Sequence, residues 1–172
     1  MTPPVLHTTR LTLRGPTPAD LPGYAAFYAA SDSTTGGYRG GRSAQEVEDI
    51  LARDILHWHE NGFGMFLLRR RDEDEVLGGT GLYHPKGWPS HELTWWLMPS
   101  ERGSGLATEA SRAVIDWAYT DLGWSVVETY IRDENAPARK LAARLGGTVA
   151  RRIPFPDGIT RDVFALPHEV SA

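Results

Sequence analysis

The stretch that decides the fold of this chain is residues 92–107, which read ELTWWLMPSERGSGLA. Its first part alternates between two faces as a strand does, with Glu92, Thr94 and Trp96 on one face. A loop with two glycines follows, and an amphipathic helical pattern begins at Leu106. The sequence therefore predicts a strand, a glycine-containing loop and a helix in direct succession.

This layout suits a bound phosphate. A helix N-terminus presents unpaired N–H groups and about half a positive charge, and glycines let the backbone approach an anion closely. Arg102 adds a fixed cation at the start of the loop. The candidate anion ligands are Arg102, Gly103, Ser104, Gly105, Leu106, Ala107 and Thr108.

Two common phosphate loops fit this stretch poorly. A Walker loop needs Gly-Lys followed by Ser or Thr, whereas this chain has Gly105-Leu106-Ala107. A dinucleotide-binding fingerprint needs a third glycine where Thr108 stands, and too few helices follow for a doubly wound sheet. A dinucleotide enzyme stays as an alternative that predicts binding of NAD and indifference to coenzyme A.

The rest of the chain predicts a mixed α+β protein. The length of 172 residues suits one domain over residues 1–172. Alternation, capping and turn signals predict strands at 11–14, 64–68, 76–82, 92–97, 124–131, 148–152 and 161–166, and helices from 20 and at 43–61, 106–122 and 137–145. The glycine-rich stretch 31–42 predicts a lid or a binding loop.

Composition excludes several classes of protein. The chain has no cysteine, which rules out disulfides, thiolate metal sites and acyl transfer through a cysteine. The net charge of -4 argues against a general nucleic-acid binder. No apolar run approaches the roughly 20 residues that cross a bilayer, so we expect no membrane partner and a cytoplasmic location. The arginines at 69–71, followed by four acidic residues, predict a solvated turn without function.

The glycine loop also matches a known pattern. Arg102, Gly105 and Ala107 match the pyrophosphate loop of the GNAT superfamily of N-acyltransferases, which is Gln or Arg, two residues, Gly, one residue, then Gly or Ala. The stretches 9–14, 77–82 and 91–97 resemble strands of its RimJ and RimL branch in order and spacing. The resemblance implies a GNAT fold, with a mostly antiparallel central sheet of about six to seven strands flanked by about four helices. The fourth and fifth strands of this sheet are expected to splay apart.

The resemblance further implies that acetyl-CoA is the cosubstrate. Its pantetheine arm is expected between the splayed strands, near the backbone of Leu97 and Met98, and Asn135 is expected to contact the arm. Arg139 and Lys140 are either ligands of the 3'-phosphate or part of a solvated helix face.

The chain departs from the family pattern at three positions after the fifth strand. Ala138 stands where serine is frequent, and Gly147 replaces a usual aromatic residue. Ala142 stands where several relatives place a tyrosine as general acid. The missing tyrosine motivates a second hypothesis, a non-catalytic module that binds coenzyme A.

The mechanism that the resemblance implies is direct attack of an amine on the thioester. Glu92 is the first candidate for the base that accepts the amine proton, the alternative being an ordinary strand-edge carboxylate. His84 is the second candidate, the alternative being a solvated turn histidine. No metal is expected, because His57 and His59 face different directions on a helix. The acceptor is a protein N-terminal amine or a small-molecule amine, and the protein is a monomer or a homodimer.

Overall fold

The structure, a computed structural model, describes residues 2–31 and 41–168. The predicted lid or binding loop at 31–42 lies mostly outside the described residues. The strands are β1 (Leu6–His7), β2 (Leu11–Arg14), β3 (Met65–Arg70), β4 (Gly78–Tyr83), β5 (Glu92–Leu97), β6 (Val127–Ile131), β7 (Thr148–Pro154) and β8 (Thr160–Leu166). The helices are α1 (Leu21–Ala30), α2 (Ala44–Asn61), α3 (Leu106–Thr120) and α4 (Ala136–Arg144). The short β1 precedes the predicted strands, so the predicted fourth and fifth strands are β5 and β6.

The strands form two antiparallel sheets. One has the order β1-β2-β3-β4-β5, and the other has the order β6-β8-β7. β5 and β6 are neighbours that belong to different sheets, and α3 connects them. The hydroxyl of Thr129 on β6 donates a buried hydrogen bond of 2.8 Å to the carbonyl of Leu93 on β5. The predicted splay between these two strands is therefore confirmed, and this bond joins the two sides.

Both faces of the first sheet are covered. β3 is buried on both faces from Met65 to Arg69, as expected for a central strand. Leu68 and Leu82 belong to the main core, together with residues of α3 and α4 such as Val114. Leu67 packs on the other side in a second cluster that α1 and α2 cover. The helices therefore form two layers, and the edge of the sheet at β5 lies between them.

The predicted solvated turn at 69–71 is wrong for Arg69. Because β3 continues to Arg70, the Arg69 side chain is buried, and its Nη2 forms an ion pair with the buried Asp20. Its Nε donates to the carbonyl of Asp74 at 3.1 Å. Asp20 also accepts from the backbone N–H of Thr17 at 2.7 Å. The guanidinium of Arg69, which was predicted to be solvated, is therefore buried and fixes the start of α1 against β3.

Candidate active site

The loop between β5 and α3 is built around two glycines. A short 3₁₀ turn at Pro99–Glu101 leads to Arg102, which is extended. Gly103 and Gly105 then adopt φ of 86° and 80°, in the left-handed region where a side chain is strained. Gly105 is the N-cap of α3, so this helix begins with a residue that has no side chain to cap it. The predicted succession of strand, glycine loop and helix is confirmed.

The backbone N–H groups from Gly103 to Thr108 have no protein partner within the part of the chain that the structure describes. The first intrahelical bond of α3 runs from Glu109 N–H to the Gly105 carbonyl, at 3.0 Å. No described residue accepts a hydrogen bond from the N–H groups of Gly103 to Thr108. Unpaired N–H groups at a helix start form an anion site. The stretch named from sequence therefore presents a row of donors.

Nearby charges favour an anion at this loop. Arg70 pairs with the loop residue Glu101 at 2.6 Å, and Arg10 donates to the carbonyl of Ser104 at 2.9 Å. Arg102, in contrast, is exposed and has no ion pair with any described residue. The acidic Glu101 is thus neutralised, whereas one cation at the loop stays available.

Glu109, in the first turn of α3, is also neutralised. Its carboxylate accepts from the Thr8 hydroxyl at 2.5 Å and from the backbone N–H and Nε of Arg10 at 3.0 and 2.8 Å. Partial burial acts to raise its pKa, but these hydrogen bonds and the Arg10 charge hold the pKa of Glu109 below its ordinary value. An acidic residue at a helix start competes with an external anion, and here its charge is turned to the segment before β2.

At the end of β5, Leu97 and Met98, the two residues predicted to contact the pantetheine arm, differ in where their backbone groups point. Met98 donates its N–H to the Leu77 carbonyl at 2.8 Å and accepts from the N–H of Glu101 at 2.9 Å. Because successive residues of a strand direct their backbone groups to opposite neighbours, Leu97 faces away from β4, as Leu93 does. The backbone of Leu97 thus faces the opening beside β6, whereas both backbone groups of Met98 are engaged within the protein.

The start of α4 holds the remaining predicted cofactor contacts. Asn135 is the N-cap of α4, and its Oδ1 accepts from the N–H of Ala138 at 3.3 Å, which leaves its amide nitrogen outside the cap. Arg139 pairs with Asp133 and Asp162 at 3.2 and 2.8 Å. Lys140 is exposed and forms no ion pair with a described residue. Of the two basic residues, only Lys140 has an unpaired charge.

Two departures from the family pattern have a structural consequence. Ala142 is completely buried in the main core, so the position of the usual tyrosine holds no polar group. Gly147 donates its N–H to the Ala142 carbonyl at 2.8 Å. A Cβ at position 147 would lie 2.9 Å from both that carbonyl oxygen and the Leu166 side chain. This corner therefore packs too closely for the aromatic residue.

A cavity of about 270 Å³ lies beside β5, bordered by α1 and α2. Its lining residues include Glu92, Thr94 and Trp96, the three residues predicted to share one face of this strand. The cavity thus borders the face of β5 that points away from the main core, and a carboxylate lies at its edge. We name it the acceptor cavity, because the acceptor amine is expected beside Glu92.

The acceptor cavity contains a group of side chains that sequence reasoning missed. Asp54 is buried on α2, and its carboxylate accepts from the Tyr24 hydroxyl at 2.8 Å. Arg53 pairs with Asp54 at 3.2 Å and lies over the Tyr83 ring, 5.1 Å from its centroid. One signal was present: Asp54 stands at helical spacing on the apolar stripe between Leu51 and the end of α2.

The histidines have different environments. His84 is exposed, and its Nε2 lies 3.1 Å from the Trp88 carbonyl within the turn after β4, outside the lining of the acceptor cavity. Its backbone N–H donates to Nε2 of His57 at 3.0 Å, so Nδ1 of His57 donates to the Phe63 carbonyl at 2.9 Å. Burial lowers the pKa of His57, consistent with a neutral ring. His57 is therefore a packing residue, and only Glu92 of the two base candidates borders the cavity.

The described residues contain no group of three or more His, Cys, Asp or Glu side chains that could hold a metal ion. None of the helices at 21–30, 44–61, 106–120 and 136–144 is long and apolar enough to cross a membrane.

Several known proteins resemble this chain. An acetyltransferase from Agrobacterium tumefaciens has a crystal structure that superposes with a TM-score of 0.84, at 31% identity, over 97% of this chain and 96% of that one. The RimL ribosomal L7/L12 alpha-N-protein acetyltransferase, solved in complex with coenzyme A, superposes with a TM-score of 0.72 at 16% identity, over 96% of this chain and 99% of that one, and shows the fold alone. The uncharacterized N-acetyltransferase YnaD of Bacillus subtilis is 25% identical over 76 residues, which are 44% of this chain and 45% of that protein.

The family model of the acetyltransferase (GNAT) domain matches residues 10–148. This range includes β2 to β6, the glycine loop and α4, which is most of the chain and all of the candidate anion site. The chain belongs to the GNAT acetyltransferase family.

Proposed function

We propose that this protein transfers an acetyl group from acetyl-CoA to a primary amine. One observation carries the proposal: the row of unpaired N–H groups from Gly103 to Thr108, beside the unpaired Arg102, at the start of the helix that connects the two sheets. Such a row suits a diphosphate, and coenzyme A carries one. Family membership supports the acetyl donor and favours catalysis over a binding module.

The contacts to acetyl-CoA follow from the donors that remain available. The N–H groups of Gly103, Ser104, Gly105, Leu106, Ala107 and Thr108, with the guanidinium of Arg102, hold the diphosphate. The backbone of Leu97 and the amide nitrogen of Asn135 contact the pantetheine arm, with Met98 as a packing neighbour. Lys140 binds the 3'-phosphate, and Arg139 supports it from its pairs with Asp133 and Asp162.

The reaction needs one proton acceptor. The amine nitrogen attacks the thioester carbonyl carbon, the C–N bond forms, the C–S bond breaks, and the electron pair leaves with the sulfur. Glu92 takes the proton that the ammonium group must lose before the nitrogen can attack, directly or through a water molecule, since it lines the acceptor cavity. The nitrogen releases its second proton to solvent as the amide forms. The leaving thiolate takes a proton from solvent, because a thiol of pKa about 8.5 is a good leaving group without a strong acid. A tyrosine at position 142 is thus dispensable, and His84 is the reserve candidate for the base.

We also propose that residues 1–172 form one domain and that the protein acts as a monomer or a homodimer. We propose the cytoplasm as its location, as the sequence leads us to expect.

The first experiment measures acetyl-CoA binding by calorimetry on the native protein and on Arg102→Glu. Because a charge-assisted hydrogen bond contributes about 1.5–3 kcal/mol, we expect at least a tenfold weaker affinity. Arg14→Glu is the matched control, since Arg14 is also exposed and without an ion pair among the described residues. Equal affinities of the two variants, or no heat from the native protein, would refute the anion site. Thiol release from acetyl-CoA across a panel of amines then tests turnover, and binding without release would favour the non-catalytic module.

A further inference from the structure

The transfer step gives no role to Asp54, a buried carboxylate that borders the acceptor cavity. Its side chain is 5% exposed, and burial acts to raise its pKa against the opposing effects of Arg53 and Tyr24. A buried carboxylate is costly unless hydrogen bonds and an ion pair compensate it. Tyr24 supplies the hydrogen bond at 2.8 Å, and Arg53 supplies the ion pair at 3.2 Å. These two contacts offset the cost of burying Asp54, and the ion pair fixes the position of Arg53.

Arg53 is held from two sides at the rim of the acceptor cavity. Its Nε and Nη2 donate to Oδ1 of Asp54 at 3.4 and 3.2 Å, and its guanidinium lies over the ring of Tyr83. The side chain is still 53% exposed, and its Nη1 has no hydrogen-bond partner among the described residues. A guanidinium that is already ordered loses little entropy on binding an anion. Arg53 thus offers a fixed cation with one open edge.

The charges around the cavity are balanced. Arg42 and Arg53 are the basic residues of its lining, and Asp54 and Glu92 are the acidic ones. Arg42 also pairs with Glu46 at 3.4 Å, and Asp54 pairs with Arg53 at 3.2 Å, so the lining carries no excess charge of either sign. An acceptor with one positive and one negative group matches this lining best.

The size of the cavity limits the acceptor. Its volume of about 270 Å³ is just below the roughly 300–1,000 Å³ of pockets that hold drug-sized ligands. Aromatic side chains, among them Tyr24, Tyr28 and Trp96, form much of the wall. The cavity therefore suits a compact molecule with an apolar part between its two charged groups.

We propose that the acceptor is a compact zwitterion of the amino-acid type, whose anionic group binds Arg53 while its amine faces Glu92. The proposal rests on the acetyl-transfer function and specifies its substrate class. Arg53 is a specificity-determining residue, and Asp54 is the positioning residue that orients it. A protein N-terminus lacks the free carboxylate beside its amine, so it lacks the group that Arg53 binds.

The test measures kcat/KM by thiol release with the full chain and acetyl-CoA. Each of the common amino acids is compared with its carboxamide, which keeps the amine and removes the negative charge, and with a tripeptide that begins with the same residue. For the best substrate we expect the free acid to exceed both by about tenfold or more, as one charge-assisted hydrogen bond predicts. Equal or higher values for the carboxamide or the tripeptide would overturn the proposal. This comparison needs no variant, so it decides the question even if a variant fails to fold.

Arg53→Gln then locates the effect. We expect the ratio of acid to carboxamide to fall to near one in this variant while its acetyl-CoA affinity stays unchanged. Arg53→Lys should lose most of the ratio too, because an ammonium lacks the planar fork. Arg14→Gln is the matched control that keeps the full ratio. A retained ratio in a folded Arg53→Gln protein would overturn the role of Arg53. If thiol is released but the ratio of acid to carboxamide is one for every amino acid, the zwitterion proposal alone is refuted. If no amine gives any thiol release, the transfer function and this proposal are refuted together.

Discussion

Glu92 is the residue whose substitution separates chemistry from cofactor binding. Glu92 begins β5, whereas Leu97 and the glycine loop lie at the other end of that strand. Each residue of a strand adds about 3.3 Å of length, so Glu92 is well separated from the proposed cofactor contacts. We expect Glu92→Gln to lower kcat by about 10²- to 10⁴-fold, as the loss of a general base does. The acetyl-CoA dissociation constant should stay unchanged. Steady-state kinetics and calorimetry on the same preparation check both values.

The control for this variant is Glu60→Gln. Glu60 is an exposed carboxylate near the end of α2 without a hydrogen bond or ion pair among the described residues. His84→Gln is the competing variant. An unchanged kcat in Glu92→Gln together with a loss in His84→Gln would transfer the role of base to the histidine.

Single residues differ in how far sequence alone could place them. The glycine loop was predictable, because Gly103 and Gly105 need the left-handed backbone that the turn into α3 imposes. The pair of Asp54 with Tyr24 was not, since its partners are 30 positions apart and meet only when α1 packs on α2. The same holds for Arg69, which the sequence predicts to be solvated. Its ion-pair partner Asp20 lies 49 positions away and meets it only in the folded protein.

At the scale of elements, local signals predicted the long helices better than the strand ends. α2 begins after the predicted capping box of Ser43 and Glu46 and ends at Gly62, with φ of 76°. β1 was missed because two residues carry no periodicity and exist as a strand only through pairing, Leu6 with Leu13. Pairing also decides the start of β6 at Val127, opposite Leu166, three residues later than predicted.

The seam between β5 and β6 gives a prediction at this scale. Thr129→Val removes the hydroxyl that donates to the Leu93 carbonyl and keeps the shape of the side chain. A buried carbonyl that loses its partner costs about 1–3 kcal/mol, so the free energy of unfolding should fall by that amount. The affinity for acetyl-CoA should fall with it, because the seam sets the opening near Leu97. Urea unfolding and calorimetry measure the two effects.

Thr129→Ser is the matched control for the seam. It keeps the hydroxyl and removes only a methyl group, so it should retain the cofactor affinity of the native protein. If serine and valine weakened acetyl-CoA binding equally, packing at position 129 would matter and the hydrogen bond would not.

At the scale of the whole molecule, the pH dependence of stability separates two sets of groups. Burial lowers the pKa of His91 to about 4, and it lowers the pKa of His57 as well. The carboxylates of Glu109, Asp133 and Asp162 have lowered pKa values, and hydrogen bonds from Arg161 lower the pKa of Asp157 to about 2. The histidines therefore change the free energy of unfolding at a higher pH than the carboxylates do. The stabilising effect of the carboxylates is lost only as the pH falls below their ordinary pKa values near 4.

The sign of the histidine effect follows from proton linkage. An unfolded histidine has a pKa near 6.5, so below that pH the unfolded chain binds protons that the folded His91 does not bind until about pH 4. The free energy of unfolding must therefore decrease as the pH falls from 6.5 toward 4. The side chain of His91 is partly exposed, so screening limits its contribution to the order of 1 kcal/mol, or about 2–4 °C in Tm between pH 7.5 and pH 5. Thermal unfolding at the two pH values measures the difference, which His91→Gln should reduce and the exposed His59→Gln should leave intact. Equal Tm values of the native protein at pH 7.5 and pH 5 would contradict this prediction. They would mean that the partly buried ring of His91, whose centroid lies 4.1 Å from that of Trp124, is protonated at no cost in stability.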